Sequence, residues 1–323
     1  MICFFIPAAA AIIVCPLLGS ESIDLKKALD FSVPASENPD RLIFFYARLP
    51  RCLLAVIVGA ALAGSGVTFQ SMLKNPLATP YTLGLAGGSS LASVIVLAIG
   101  GGIITQPPAA FVGAFLTLTL VYMLGKKGGR MSHVTLILAG VTLNLFFSAI
   151  IMLIQYISDP ARTFFIINWL MGNLDIASYN PVYILLPFQI VGLGLLLFHS
   201  RDMNLLSLDE LSARSLGLNV KRATRNLYVA GSLVAGTAIA FSGPIGFVGL
   251  IVPHAIRIII GPDHRLLLPA SILTGGAFLL ICDTIARIII APTELPVGVI
   301  TALLGGPFFL WLLLNRRKGG MLS

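Results

Sequence analysis

His254, Asp263 and His264 come closest in this chain, by residue type, to a metal-binding set. Two histidines that far apart lack the further ligands a closed site needs. With Arg257 and Arg265 they read instead as a polar cluster that fixes loops. Gly125-Lys126-Lys127 is the nearest approach to a phosphate loop, but it lacks the preceding glycine and the hydroxyl after the lysine. Asp283 and Arg287 stand four residues apart on one predicted helix. They could pair along it, or Asp283 could take a proton or a sodium ion within an apolar segment. Cys3, Cys15, Cys52 and Cys282 have neither metal nor disulfide spacing and read as small buried apolar residues. No catalytic set emerges.

The elements that carry these residues are apolar. The 323 residues are 57% hydrophobic and 11% charged, with a mean hydropathy of +0.96; soluble domains carry about 25% charged residues. The composition therefore predicts an all-α polytopic membrane protein, a single transmembrane domain over 1–323. A crossing takes about 20 apolar residues. Ten spans are predicted, at 2–19, 49–72, 83–104, 107–125, 133–157, 181–199, 225–243, 247–260, 266–290 and 295–314. The eighth is short for a full crossing and suits a partial span buried against protein. The first lacks the positive flank of a signal peptide, and Val14 before Cys15 does not suit a lipoprotein cleavage site, so it reads as a retained span.

Ten spans put both termini on one side. If that side is the cytoplasm, fourteen basic residues from Lys74 to Lys318 lie inside, against seven at the outer ends: Lys26, Lys27, Arg41, Arg48, Arg51, Arg162 and Arg287. That bias is the positive-inside pattern. The net charge of +8 thus reflects topology, and nucleic acid is not implied. Ala61–Gly66 is echoed by Ala238–Gly243, each followed ten residues later by a proline, Pro76 and Pro253. Five spans separate the copies, which would invert one against the other, as in many transporters; a chance match of small residues is the other reading. The crowd of small residues in the second, third and seventh spans reads first as tight helix packing and second as a glycine-lined pathway.

Against this background, the stretch 203–219, MNLLSLDELSARSLGLN, is polar. Ser207 and Glu210 fit a capping box, and Asp209 and Glu210 suit a helix start. Gly217 supplies a left-handed stop. A helix from Leu208 to Leu216 is predicted, with Leu208, Leu211 and Ser215 or Leu216 toward one face and small Ser212 and Ala213 at its middle, where a partner could come close. It is either an interfacial helix that tidies a loop or a knob presented to a partner; the pattern alone does not choose. In the fifth span, Asn144, Ser148 and Gln155 fall on one helical face. With Thr301 of the tenth they either border a water-filled path or hydrogen-bond between helices.

Several blocks are recognisable together: Arg48-Leu49-Pro50-Arg51; Gly59 through Gln70; Asn75-Pro76-Leu77-Ala78; Ser212 through Gly217; Gly243-Pro244-Ile245-Gly246-Phe247 through Pro253-His254; and Glu294-Leu295-Pro296-Val297-Gly298. Over about 48–317 the chain resembles the permeases of type II ABC importers, the family that takes up iron–siderophore complexes, haem and vitamin B12. The resemblance implies ten transmembrane helices in a bacterial or archaeal cytoplasmic membrane, with both termini cytoplasmic. It also implies a second permease subunit, favouring a homodimer, two cytoplasmic ATPase subunits and one extracytoplasmic solute-binding protein. The 207–217 helix matches the family's coupling helix, which would dock on the ATPase through Ser207, Leu208, Asp209, Glu210, Leu211, Ala213, Arg214, Leu216 and Gly217. Arg48, Arg51 and Arg287 match positions that meet acidic side chains of the binding protein, and the fifth and tenth spans would border the pathway.

Because no phosphate loop is present, ATP and Mg belong on the partner ATPase, and this chain is expected to bind neither a cofactor nor a metal and to catalyse nothing itself. The cargo, an iron complex first and a corrinoid or another metal chelate second, is not written in the residues. An ion-coupled secondary transporter would need Asp283 as its ionisable site. A membrane scaffold would not need a capped inner helix and outer arginines together.

Overall fold

The computed structural model describes residues 2–34, 37–102, 104–127 and 130–316. Among the described residues the regular structure is helical, apart from an antiparallel two-residue pair, β1 (Lys126–Lys127) with β2 (Arg130–Met131). The helices are α1 (Ile2–Val14), α2 (Leu25–Ala28), α3 (Pro39–Leu42), α4 (Leu49–Met72), α5 (Leu85–Ala98), α6 (Gln106–Gly125), α7 (His133–Ile157), α8 (Pro160–Leu170), α9 (Asn180–Phe198), α10 (Ser200–Leu206), α11 (Glu210–Ser215), α12 (Val220–Ser242), α13 (Val248–Ile260), α14 (His264–Ile288) and α15 (Val297–Arg316). A π-helical turn, Ile43–Arg48, leads directly into α4.

Each predicted span coincides with one helix, but not all are long enough to cross alone. Among the described residues, five are long and apolar enough: Pro39–Met72, Gln106–Gly125, His133–Ile157, Asn180–Phe198 and His264–Ile288. Phe4–Leu17, Leu85–Ala98, Val248–Ile260 and Val297–Leu312 are shorter apolar helices. The third span shrinks most, to the 14 residues of α5. α13 has 13 residues, about 20 Å at 1.5 Å per residue, well short of a ~30 Å hydrocarbon core.

α4 is the centre. Its 24 residues are about 36 Å long, and every residue from Val58 to Leu73 is buried. Small residues make this possible. A Cβ on Gly59 would strike the backbone carbonyl of Gly275 in α14, and one on Gly66 would strike that of Gly249 in α13. The backbones therefore touch, and association without a hydrophobic driving force in lipid rests on such close packing. The glycines are packed against helices rather than lining a path. α14 runs antiparallel to α4, since Arg51 meets Asp283, Gly59 meets Gly275 and Gly64 meets Ile272.

The two echoed segments differ locally. Ala61–Gly66 lies inside the unbroken α4, whereas Gly243, at φ +66°, ends α12. From there Pro244–Phe247 forms a non-helical link to α13. α8 was not expected from the pattern of spans, although Asp159-Pro160 announces it: the Asp159 carboxylate caps Arg162 N–H at 2.9 Å and Pro160 opens the helix.

Candidate functional site

α11 projects from the end of the bundle where Lys74 and Asp263 lie. The predicted cap is displaced. Ser207 sits in helical geometry at the end of α10, where its hydroxyl donates to the carbonyl of Met203 at 3.1 Å. An N-cap residue needs extended backbone, and Asp209 supplies it at φ −66°, ψ 160°. Its Oδ1 accepts the N–H groups of Leu211 and Ser212, both at 3.0 Å. The helix therefore begins at Glu210, two residues later than predicted. Glu210 pairs forward with Arg214 rather than reaching back to Ser207. The Ser212 hydroxyl and N–H hold the Asp209 carboxyl below the usual carboxylate range.

The far end closes as a Schellman motif. Gly217 N–H donates to the Arg214 carbonyl at 2.9 Å, and Leu218 N–H to that of Ala213 at 3.1 Å. Gly217 has φ +86°, a region where a side chain would be strained. Ala213 and Leu218 are buried together in the core. Ala213 was expected to face a partner; it faces its own chain instead, because α11 needs one anchor to the bundle. The presented surface is Leu208, Glu210, Leu211, Arg214 and Leu216, with Leu211 80% and Leu216 61% exposed.

Behind α11 lies a polar network. The Leu208 carbonyl accepts from Lys74 Nζ, and the Met203 carbonyl from the Ser71 hydroxyl at 3.1 Å. Gln70 donates to the Gly249 carbonyl and accepts from Arg257, each at 3.1 Å. Asp263 caps Arg265 N–H at 3.0 Å. Arg257 thus ties α13 to α4 and Asp263 holds the start of α14, where the sequence predicts a loop-fixing cluster. Gln70 and Asn204 carry neither a charge nor a motif of their own, so local sequence does not mark them.

At the opposite end of α4 the three outer arginines come together but turn inward; all are at most 5% exposed. Arg51 Nε lies 3.0 Å from Asp283, and its Nη1 reaches Glu294, with Asp175 at 3.7 Å. Arg287 Nε lies 3.2 Å from the same Asp283. Arg48 donates to the carbonyls of Leu17, at 3.1 Å, and Glu21, and Arg287 to that of Leu18 at 3.1 Å. The turn after α1 leaves carbonyls unpaired, and buried carbonyls and carboxylates need donors. The three arginines expected to meet a binding protein are thus held in an internal network, in which the carboxylates of Glu294 and Asp175 are exposed. Asp283, fully buried between two guanidiniums, has the surroundings of a structural counter-ion.

Of the four candidate pathway residues, Asn144, Ser148 and Gln155 share α7 and Thr301 lies on α15. Asn144 donates to the carbonyl of Tyr81 at 2.7 Å and abuts Gly87, adding a second donor to a turn carbonyl that already accepts Gly84 N–H at 3.0 Å. Thr301 is fully buried, and its hydroxyl donates to Gly298 at 3.0 Å. Ser148 is exposed and Gln155 half-buried on α7, the least buried long helix in this chain, whose apolar stretch is 11% buried. Asn144 thus bonds to another element, whereas Thr301 bonds back within α15.

Comparison with known proteins places this arrangement. The profile of the FecCD transport family matches residues 7–315. The cobalamin import system permease BtuC of Halobacterium salinarum is 41% identical over 300 residues, covering 90% of this chain and 77% of that one. The hemin transport system permease HmuU of Yersinia pestis is 40% identical over 290 residues, covering 85% and 84%. A solved structure described as an inward-facing conformation of a metal-chelate type ABC transporter matches with a TM-score of 0.82 at 33% identity, over 96% of this chain and 98% of that one.

Proposed function

This chain belongs to the FecCD transport family, and from that premise we propose that it is the permease subunit of an ATP-driven importer that carries an iron complex, siderophore or haem, across the cytoplasmic membrane. Its relatives are transport permeases, and the ATP would be hydrolysed with Mg on two separate ATPase subunits. The observation that carries the reading is α11: a helix closed at both ends, held by one buried alanine, that offers Leu211, Leu216 and the Glu210–Arg214 pair to solvent. A helix that merely tidied a loop would turn its leucines inward. Two copies of the chain, each with α7 and α15 toward the other, would enclose the pathway; the exposed apolar faces of α7 and α15 support that pairing.

A solute-binding protein would dock at the Arg51 end. Because Arg51 is shared with the exposed Glu294 and Asp175, docking onto it goes with release of one of those carboxylates, while Arg48 and Arg287 hold the rim from beneath. A corrinoid cargo is the second reading, since the cobalamin and hemin permeases stand at nearly equal identity, 41% and 40%. Ion-driven transport is disfavoured, because Asp283 is fully buried between Arg51 and Arg287.

Mild-detergent purification of the tagged chain from its own host, with partners identified by mass spectrometry and an absorbance spectrum of the eluate, tests this. An ATPase and a binding protein should co-purify, and a haem, corrin or ferric-chelate band would name the cargo. A crosslinked sample with neither partner would overturn the reading.

A further inference from the structure

Asn204 lies in α10, six residues before Glu210, and its side chain crosses to the first turn of α14. Oδ1 accepts the backbone N–H of His264 at 2.8 Å and lies 2.8 Å from the ring Nδ1 of the same residue. Nδ2 donates to Asp263 Oδ1 at 2.6 Å, the oxygen that also caps Arg265 N–H. Because the Asn204 amide nitrogen is committed to Asp263, its oxygen faces the imidazole and fixes the Nδ1–H tautomer. The start of the 25-residue α14 is thus capped jointly by its own aspartate and by an asparagine from another helix. A helix start leaves four N–H groups without intrahelical partners, so this junction ties α10 to α14 where α14 most needs acceptors.

We propose that Asn204 is a positioning residue that passes movement of α11 to α14, making the end of α10 and the first turn of α14 one hydrogen-bonded unit. The inference rests on the coupling reading of α11. α10 precedes α11 with only Ser207–Asp209 between them. α14 runs the length of α4 to Asp283 and Arg287, which hold Arg51 and the Leu18 carbonyl at the far end. A displacement that enters at Asn204 is carried by one continuous helix to the opposite rim, and α15 packs against the same helix. The bond from Ser71 ties α10 to α4, and Lys74 holds Leu208 in the link before α11, while the Asn204 side chain ties α10 to α14.

The test uses the full chain purified with its ATPase and binding protein, reading the stimulation of ATP hydrolysis by loaded binding protein. Asn204→Asp sets two carboxylates against each other and should lower that stimulation about fivefold or more, the low end of measured coupling between sites, while the complex still assembles. The swapped pair Asn204→Asp with Asp263→Asn removes that clash: the amide oxygen at 263 still accepts Arg265 N–H, as an Asn N-cap does, and its NH2 replaces one of the two opposed carboxylates; stimulation should rise above that of the single variant. Full stimulation in Asn204→Asp, or an assembled swapped pair no better than the single variant, would overturn the inference. If changing Glu210 and Arg214 together also leaves stimulation intact, the reading of α11 itself fails; if only that change uncouples, the Asn204 link alone is wrong. Should Asn204→Asp not assemble, hydrogen exchange in the unmodified complex decides. On adding ATP, amides 263–267 should change protection together with 203–216, and unchanged protection at 263–267 would overturn the proposal.

Discussion

The carboxylate of Asp283 lies 3.0 Å from Nε of Arg51, joining α14 to α4 across 232 residues of sequence with no exposure of the acid. Removing one partner of a buried pair strands the other charge, at about 3–5 kcal/mol. Asp283→Ala should therefore lower thermal stability in detergent sharply. Glu210→Ala breaks an exposed i,i+4 pair and should shift stability by less than about 0.5 kcal/mol. Melting curves of the two variants check the contrast, and equal losses would count against it.

The close approach of α4 to its neighbours should be intolerant of a single methyl group. Gly66→Ala drives a Cβ into the Gly249 carbonyl, and overpacking of this kind costs about 1–3 kcal/mol. Gly246→Ala meets nothing within 4 Å and has no positive φ to lose. The yield of monodisperse protein should fall for the first and hold for the second.

Asp209 should cap α11 through its oxygen and not through its charge alone. Asp209→Ala should speed hydrogen exchange at Leu211 and Ser212, whose N–H groups it accepts, whereas Asp209→Asn should preserve protection. The Ser212 contacts hold the folded carboxyl below its ordinary value. Its contribution is then fully present above the unfolded value of about 3.9 and fades only as pH falls through the lower folded value. Protection at Ser212 relative to an unstructured reference should be flat from pH 7 to 5, and a loss within that window would contradict the assignment.

The apolar spans, the short α13 and the Gly217 stop were legible because hydrophobic run length and a glycine's backbone freedom are local properties. The cap was misplaced by two residues because α10 continues to Leu206 and claims Ser207, which no local pattern around 207–210 reports. The arginines were legible as residues at the ends of spans but not as buried ones. Their partners, Asp283, Glu294 and the 17–21 carbonyls, are distant in sequence, apart from Asp283 beside Arg287, the one pairing that spacing offered. Asn144 and Thr301 had the right residue type for a pathway, yet type does not say which carbonyl a polar side chain will meet.

The central claim is that α11 transmits ATP hydrolysis on a partner to this membrane domain. Its most direct test is ATP hydrolysis linked to transport in proteoliposomes that hold the chain with its co-purified ATPase and loaded binding protein, comparing the unmodified chain with the double change Glu210→Ala and Arg214→Ala. Hydrolysis should rise with loaded binding protein in the first and lose that response in the second, with the bundle still folded. An undiminished response in the double variant, or cargo movement without any ATPase, would contradict the account.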